Sequence, residues 1–357
     1  MILAADIGGT KTNLALFDWK TERVEAQRER TFYSKDHATF DEILAEFLKP
    51  PEPQAPKDID AEGPSESSGI ERPVEPAETP QIEAACFGIA GPVIGNRCQT
   101  TNLPWVVDGA EMAKRFNLPK VRLLNDLEAT AHGILVLRPD EMEVLNPGSP
   151  PHARTTMALI AAGTGLGEAI LFWHGTHYHP MASEGGHADF APSSDLEIDL
   201  LRCLRINYLH VSWERVLSGA GLVNIYEFLR DQKKNEPTWV AERLKAGDPA
   251  AVIAEIGLNK GAEICVQALD LFTSIFGAEA GNLALKTLSL SGLYVGGGIG
   301  PKLLAKLKEG GFMRGFLNKG RYKRLMSTIP VRVIMNEKTA LLGAASAAGR
   351  MLQESSS

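Results

Sequence analysis

A short segment near the start of the chain, DIGGT at Asp6–Thr10, combines an acid, two glycines and a threonine. It lies between the apolar runs Met1–Ala5 and Leu14–Phe17, a pattern that predicts a β-hairpin with a polar tip. Glycines at such a tip let backbone N–H groups approach an anion, and the Thr10 hydroxyl adds a donor. A carboxylate beside these donors, here Asp6, can hold hydrated Mg²⁺, so the segment is suited to a nucleoside triphosphate. An ordinary glycine hairpin with a solvated aspartate is the alternative.

The same strand–glycine–strand pattern occurs again in the middle of the chain. The apolar run Met157–Ala162 ends at Gly163–Gly167, and Glu168–Trp173 follows as its hairpin partner. A third glycine-rich turn, Gly296–Gly300, follows a short strand. A Walker A sequence is absent, and no acid follows the third turn at the spacing of a dinucleotide-binding fold, so hairpins must hold any nucleotide. The two hairpin copies predict two similar α/β domains that face each other across a cleft.

An asparagine and an aspartate, Asn125 and Asp126, directly follow the apolar strand pattern Val121–Leu124. Ligands of α/β folds bind at the carboxyl ends of strands, so this aspartate is expected to face the site. A carboxylate there could accept the proton of a hydroxyl nucleophile during phosphoryl transfer. The same pair is also an ordinary turn and helix N-cap signal, and the sequence alone leaves both interpretations open.

Two further polar segments carry side chains suited to hydroxyl groups. Residues Glu184–Phe190 bring together an acid, two glycines, a histidine and a second acid, and Glu214 precedes an apolar stretch. Sugars are bound by planar polar groups, and each charged acceptor contributes a hydrogen bond of about 1.5–3 kcal/mol. A capped loop at Glu184 and His187, and a solvated helix face at Glu214, are the alternatives. The histidine-rich run His174–His179 is predicted to be an exposed hairpin tip rather than a metal site.

Length and composition limit the classes of protein that the chain can belong to. Its 357 residues exceed one ordinary core, so two domains are expected. The net charge of −7 argues against general nucleic-acid binding, and the basic run Lys319–Arg324 is interpreted as solvated surface. No apolar run reaches the length of a membrane span, and the chain enters a strand pattern at once, which predicts a protein that is not secreted. The cysteines lack the spacing of metal sites and are predicted to be buried thiols of a reducing cytoplasm: Cys86, Cys98, Cys203 and Cys265.

The apolar pattern also predicts the elements that must position these groups. Strands are predicted in residues 1–19 (two strands) and at Ile82–Pro92, Val121–Leu124, Met157–Ala162, Leu293–Val295 and Val331–Met335. Helices are predicted at Phe40–Leu48, Leu196–Leu204, Gly261–Leu288 and Thr339–Leu352. The segment Pro50–Pro80 contains eight of the 21 prolines and no aromatic residue. Such a segment cannot bury enough apolar surface to offset its ordering entropy, so a flexible surface insertion is predicted.

Together these segments resemble the bacterial glucokinase family of the hexokinase/actin-like ATPase superfamily. The matching motifs occur in the family's order along almost the whole chain: DIGGT at 6–10, LND at 124–126, GTGLG at 163–167, EGGHADFAP at 184–192, ERVLSG at 214–219, GNLAL at 281–285, GGGI at 296–299 and LLG at 341–343. The EGGH…DFAP and ERVLSG stretches are specific to sugar kinases of this kind. The DIGGT and GTG motifs alone indicate only the superfamily.

The resemblance implies a role for each matching position. Asp126 resembles the catalytic base for the glucose 6-hydroxyl, and Asp6 resembles the acid that holds Mg²⁺ through water. The sugar-binding set that the resemblance implies is Asn102, Asn125, Asp126, Glu184, His187 and Glu214. The ATP-binding set that it implies is Asp6, Gly8, Gly9, Thr10, Gly163, Thr164, Gly165, Gly296, Gly297 and Gly298.

The family's fold is α/β, a two-domain actin-like ATPase (ribonuclease H-like) fold with an interdomain cleft. For this chain the resemblance implies a small domain of residues 1–136 plus 336–357, which carries the insertion at 50–80. Residues 137–335 would form the large domain. A homodimer is also implied.

The implied reaction is ATP-dependent, Mg²⁺-assisted phosphorylation of D-glucose at the 6-hydroxyl, the first step of glycolysis, by a cytoplasmic protein that binds neither nucleic acid nor membrane. A kinase for another hexose, such as mannose or N-acetylglucosamine, would share every phosphate-site residue. A non-catalytic sugar-responsive regulator would not need Asp126. An ATPase without a sugar acceptor would not need Glu184, His187 and Glu214 together.

Overall fold

The computed structural model describes residues 1–18, 25–50, 81–149, 154–233 and 235–354. Residues 51–80 of the predicted insertion lie outside the described residues, so that interpretation stays a prediction. The strands are β1 (Ile2–Ile7), β2 (Lys11–Asp18), β3 (Glu25–Tyr33), β4 (Ala84–Ile89), β5 (Val93–Ile94), β6 (Arg97–Gln99), β7 (Val106–Asp108), β8 (Val121–Asn125), β9 (Met142–Asn146), β10 (Met157–Ala162), β11 (Leu166–Trp173), β12 (Tyr178–Ser183), β13 (Gly292–Gly296) and β14 (Val331–Ile334).

The α-helices are α1 (Phe40–Leu48), α2 (Gly109–Arg115), α3 (Asp126–Ile134), α4 (Asp195–Asn207), α5 (Gly219–Lys233), α6 (Thr238–Ala246), α7 (Pro249–Leu258), α8 (Glu263–Thr287), α9 (Ile299–Lys302), α10 (Leu304–Lys308), α11 (Gly311–Leu317), α12 (Lys323–Ser327) and α13 (Thr339–Gln353). Short 3₁₀ helices cover Ser34–Asp36, Pro139–Glu141, Gly185–His187, Trp213–Arg215 and Gly320–Tyr322. None of the helices in the described ranges combines the length and apolarity that crossing a bilayer requires.

Two sheets repeat one topology. The first has the order β3-β2-β1-β4-β8 and the second the order β12-β11-β10-β13-β14-β9. In each, a central strand forms an antiparallel hairpin with its successor and a parallel pair with a later strand: β1 with β2 and β4, and β10 with β11 and β13. This repetition confirms the α/β class and the duplication of the hairpin. A small third sheet has the order β5-β6-β7.

The described backbone divides into two compact units, Met1–Leu123 with Ala348–Ser357, and Leu124–Ala347. Each unit has its own apolar core. In the first, the inner faces of β1, β2 and β4 pack with α1, whose Phe40, Ile43, Leu44 and Phe47 are buried. In the second, the long helix α8 lies at the centre of the larger cluster. The predicted domain boundaries at residues 136 and 336 stay a prediction.

The helix that begins at Asp126 is held by close backbone packing. A Cβ at Gly133 of α3 would overlap the Thr339 carbonyl, and a Cβ at Gly343 of α13 would overlap the Ala129 carbonyl. The two helices therefore approach so closely that only glycine fits at these positions. Along the other face of α3, a Cβ at Gly167 would lie 2.7 Å from Leu127 Cδ2, so β11 also restrains the helix.

Candidate active site

The DIGGT segment forms the predicted hairpin tip between β1 and β2. The Gly8 N–H donates to the Lys11 carbonyl at 3.0 Å and closes the turn. Asp6 is partly buried near the carboxyl end of β1, opposite Asn13 on β2. Thr10 is exposed at the tip. The structure therefore places the acid and the hydroxyl at one end of the first sheet.

A buried serine that the sequence did not single out fixes this turn. The Ser34 N–H donates to the Thr10 carbonyl at 3.0 Å, and its Oγ donates to the Gly8 carbonyl at 2.7 Å. Because the one hydroxyl proton of Ser34 is used in this way, Thr12 Oγ1 is the donor of the 3.0 Å bond between the two hydroxyls. Thr12 and Ser34 are both completely buried. Ser34 thus stabilises the glycine turn through hydrogen bonds to two of its backbone carbonyl groups.

The turn also contacts a member of the predicted sugar-binding set. A Cβ at Gly9 would lie 2.9 Å from Asn102 Cβ, so the loop that carries this asparagine rests on the glycine. The loop is fixed by Thr100, whose Oγ1 donates to the Leu103 carbonyl at 2.7 Å and whose N–H donates to the Trp105 carbonyl at 3.0 Å. The first unit therefore brings Asn102 beside the phosphate-binding candidate.

The second glycine turn lies between β10 and β11 and is held by Glu214. The Gly163 N–H donates to the Gly165 carbonyl at 2.8 Å, and the Gly163 carbonyl accepts from the Gly219 N–H at 2.9 Å. Glu214 Oε2 accepts from the Leu166 N–H at 3.0 Å, and a Cβ at Gly165 would overlap that same oxygen. Glu214 is therefore a turn-stabilising acceptor, and the solvated helix face considered from the sequence is wrong for this residue.

The third glycine turn lies beside the second because β10 and β13 are parallel neighbours. Gly297 has φ +77°, and a Cβ there would overlap the Ala162 carbonyl at the end of β10. The Cβ position of Gly163 lies 4.0 Å from the Gly298 N–H nitrogen, whereas the space around Gly298 is open. The two glycine turns therefore lie at the carboxyl ends of two neighbouring strands of the second sheet, and both have backbone N–H donors.

Asn125 and Asp126 form the start of α3. Asn125 is the N-cap, and both its Oδ1 and the Oδ1 of Asp126 accept from the Leu127 N–H at 2.9 Å. Burial raises the pKa of the Asp126 carboxyl above its ordinary value. The hydrogen bonds from the backbone and from Asn125 oppose this shift, and the negative charge of Glu184 adds to it. Asn125 therefore caps the helix, and the carboxyl group of Asp126 beside it has a raised pKa. The N-cap interpretation is thus compatible with a role of Asp126 as a base.

Glu184 and His187 lie at the two ends of a short 3₁₀ turn with exposed side chains. Glu184 Oε2 and His187 Nε2 are 3.9 Å apart. A Cβ at Gly186 would overlap the Leu166 carbonyl, so the turn is pressed against the start of β11. The backbone N–H of Leu166, the residue before the last glycine of the GTGLG turn, also donates to Glu214. Leu166 therefore contacts both the EGGH turn and the glutamate that holds the GTGLG turn.

The structure thus brings the predicted residues together in two groups, one in each compact unit. The first group contains Asp6, Gly8, Gly9, Thr10 and Asn102. The second group contains Asn125, Asp126, Gly163, Thr164, Gly165, Glu184, His187, Glu214, Gly296, Gly297 and Gly298. The histidines at 174 and 177 are exposed at the hairpin tip between β11 and β12, as expected, and His179 is exposed near the start of β12.

The donor set at the DIGGT turn fits a hydrated magnesium ion. Mg²⁺ usually keeps several waters and binds through one or two carboxylates plus substrate phosphates, which a single aspartate satisfies. Asp6 supplies that carboxylate beside the turn. Within the described part of the chain, no three His, Cys, Asp or Glu side chains form a cluster that could hold a metal ion by themselves. Of the four cysteines, Cys86, Cys98 and Cys265 are buried as predicted, whereas Cys203 is only partly buried.

Comparisons with known proteins find similar sequences and similar structures. The family model described as Glucokinase matches residues 3–351. A glucokinase of Nostoc punctiforme is 38% identical over 98% of this chain and 99% of its own length. The crystal structure of a glucokinase from an Antarctic psychrotroph has a TM-score of 0.78 and 27% identity, covering 98% of both chains. A ROK family glucokinase from Streptomyces griseus, solved with glucose and AMPPNP, shares the fold with a TM-score of 0.59 and 20% identity over 98% of this chain and 99% of its own.

Proposed function

This chain belongs to the glucokinase family, and we propose that it transfers the γ-phosphoryl group of ATP to the 6-hydroxyl of D-glucose. The fold is the two-domain actin-like ATPase fold of these sugar kinases. The observation that supports the reaction best is the environment of Asp126, a partly buried carboxyl group with a raised pKa at the start of α3. The reaction is the first step of glycolysis.

Asp126 is proposed to be the general base. A carboxylate accepts the proton of an attacking hydroxyl more readily when its pKa is raised toward the working pH. Burial and the nearby charge of Glu184 supply that increase. The close packing of α3 against α13 and β11 restricts the movement of the base, and positioning is the main contribution that a protein makes to phosphoryl transfer.

The sugar-binding role is proposed for Asn102, Asn125, Asp126, Glu184, His187 and Glu214. The exposed carboxylate of Glu184 and imidazole of His187 are available to ligand hydroxyls. Glu214 uses Oε2 for the Leu166 N–H, so its other oxygen is the candidate acceptor for a sugar hydroxyl. Glu214 would thus connect sugar binding with the shape of the GTGLG turn.

The glycine turns are proposed to hold the ATP phosphates. Their backbone N–H groups can donate to phosphate oxygens where side chains would obstruct the approach. The residues with this role are Gly8, Gly9, Thr10, Gly163, Thr164, Gly165, Gly296, Gly297 and Gly298. Asp6 would hold Mg²⁺ through water, and the ion would neutralise charge on the transferring phosphoryl group.

A panel of sugars tests this function directly. We expect ADP release, measured in a coupled assay with ATP and Mg²⁺, to depend on added glucose and to be slower with mannose or N-acetylglucosamine. A preference for another hexose would reassign the substrate. Equal ADP release without any sugar would indicate an ATPase, and no release at all would favour the non-catalytic regulator.

Replacing Ser34 by alanine is expected to weaken ATP binding selectively. The change removes the donor to the Gly8 carbonyl and leaves Thr12 Oγ1 without its partner, at a stability cost of about 1–3 kcal/mol. We expect KM for ATP to rise about tenfold, the size of one lost hydrogen bond, while KM for glucose changes little. Steady-state kinetics with each substrate varied in turn measure the difference. An equal rise in both KM values would contradict a specific role in the ATP turn.

The state of assembly and the location belong to the same proposal. We propose a cytoplasmic homodimer, as the family resemblance implies. Light scattering coupled to size-exclusion chromatography gives the mass in solution, for which we expect twice the chain mass of 38.6 kDa.

A further inference from the structure

Two buried glutamates that the proposed reaction does not use face each other below the EGGH turn. Glu168 lies on β11 and is 3% exposed, and Glu279 lies in the middle of α8 and is 0% exposed. The two carboxyl groups are close enough to act on each other electrostatically and to share a hydrogen bond, and the Oε1 atom of each is buried without a hydrogen-bond donor among the described residues. Two carboxylates only accept, so a hydrogen bond between them requires that one of the two groups carry a proton.

The surroundings assign that proton to Glu168. Burial, together with the charge of Glu279, raises the pKa of Glu168 to about 8. Burial also raises the pKa of Glu279, but this residue has partners that oppose the shift: its Oε2 accepts from Asn282 Nδ2 at 2.9 Å, and its Oε1 lies 3.6 Å from Lys286 Nζ. Among the described residues, both Oε1 atoms lack a hydrogen-bond donor, but of the two glutamates only Glu279 forms an ion pair with a lysine. A neutral Glu168 that donates to a charged Glu279 satisfies both groups best.

Other charged groups near the pair come from three neighbouring elements. Lys319, from the basic run that was expected to be solvated surface, turns inward, donates to the Ala278 carbonyl at 2.9 Å and acts electrostatically on Glu279. Burial lowers the pKa of Lys319, and the negative charge of Glu197 on α4 opposes that shift. Lys286 is mostly exposed. The titratable side chains of the EGGH turn itself are Glu184 and His187.

The protonated group touches the turn that carries the sugar-binding candidates. A Cβ at Gly185 would overlap Glu168 Oε2, so the carboxyl group lies directly against the backbone of the EGGH turn. Ser183, which pairs with Glu168 across the sheet, accepts from the Gly185 N–H at 3.0 Å. The turn between Glu184 and His187 therefore rests on the Glu168 carboxyl and its cross-strand neighbour.

We propose that Glu168 and Glu279 form a single-proton carboxyl pair that positions the EGGH turn for sugar binding. This inference rests on the proposed function, because Glu184 and His187 must bind the sugar. Loss of the shared proton would place two negative charges in one buried site beneath the turn. Glu168 is thus a positioning residue, and the affinity for glucose is expected to fall as the pH rises through about 8.

Three proteins test the proposal: wild type, Glu168→Gln and Glu168→Ala. Glutamine keeps the shape and donates to Glu279 at every pH, so its dissociation constant for glucose should match that of wild type at neutral pH and stay constant above pH 8. The wild-type dissociation constant, measured by calorimetry between about pH 6.5 and about pH 9.5, should rise on the alkaline side. Alanine should weaken glucose binding about tenfold at neutral pH, without a matching change in KM for ATP.

An infrared measurement separates failure of this proposal from failure of the proposed function. The folded wild type should show the carbonyl band of a buried protonated carboxylic acid, which disappears above about pH 8 and is absent from Glu168→Gln. Absence of that band, or identical pH profiles of glucose binding in wild type and Glu168→Gln, would overturn the carboxyl pair. A wild type that shows the band but neither binds nor phosphorylates glucose would contradict the proposed function, and with it the role of the pair in sugar binding. A melting temperature for each variant shows that binding was measured on folded protein.

Discussion

Replacing Asp126 by asparagine is expected to lower kcat for glucose phosphorylation by about 10²–10⁴-fold, the usual contribution of a positioned general base. Asparagine keeps the oxygen that accepts from the Leu127 N–H, so the start of α3 stays capped and only the basicity is lost. The fall in kcat is expected to exceed any change in KM for glucose. Initial rates at saturating ATP and varied glucose measure both constants.

Glu128→Gln is the matched control, because Glu128 is the other acid in the first turn of α3. It removes the same charge from the same helical turn, and we expect it to retain most of the wild-type kcat. Near-normal turnover in Asp126→Asn, or an equal loss in both variants, would show that Asp126 is not the base.

The raised pKa of Asp126 gives the same substitution an effect on stability. The folded state holds the proton more tightly than the unfolded state, so the carboxyl group stabilises the fold less as the pH rises from 3.8 toward the raised value. At neutral pH the buried charge opposes folding, and Asp126→Asn is expected to melt at a higher temperature than wild type. The difference should shrink as the pH falls toward 3.8. Melting curves across this range measure it.

Replacing Gly297 by alanine is expected to damage both the fold and ATP binding. Its φ of +77° costs an alanine about 1–2 kcal/mol, and crowding at a packed position costs about 1–3 kcal/mol more. The added methyl group would overlap the Ala162 carbonyl and separate the two neighbouring glycine turns. We expect a loss of about 2–5 kcal/mol in the free energy of unfolding, together with a large rise in KM for ATP. Denaturant titration and kinetics measure the two effects.

Gly298→Ala is the matched control for strain. Gly298 has an ordinary φ, and a Cβ there meets no atom within 4 Å, so the free energy of unfolding should stay near the wild-type value. If the nucleotide lies over this turn, the methyl group raises KM for ATP and leaves stability unchanged. Equal stability of Gly297→Ala and wild type would contradict the packing described for this turn.

Local elements of the site could be predicted from the sequence because their signals are local. Alternation of apolar residues around DIGGT and GTGLG predicted both hairpins, and helical spacing predicted the helix Phe40–Leu48 at its observed bounds. Asn125 was recognised as a possible N-cap, which it is. These patterns depend on the chain within a few residues, where side-chain periodicity and capping act.

Contacts between distant segments could not be predicted in the same way. Ser34 follows a mostly exposed strand, and nothing near it in the sequence shows that it supports a turn 26 residues earlier. Glu214 accepts from Leu166 across 48 residues, and the pairing of Glu168 with Glu279 depends on the packing of α8. Such contacts depend on strand register and helix packing, and the residues around one position do not show which distant residue will lie against it.

The most direct test of the proposed reaction is the position of the phosphoryl group on the product. Wild type and Asp126→Asn are incubated with ATP, Mg²⁺ and ¹³C-labelled glucose, and carbon–phosphorus coupling is measured by NMR. We expect coupling to C6 in the product of the wild type and almost none with the variant. Phosphorylation at another carbon, inorganic phosphate as the sole product, or the same yield of glucose 6-phosphate from both proteins would contradict this expectation.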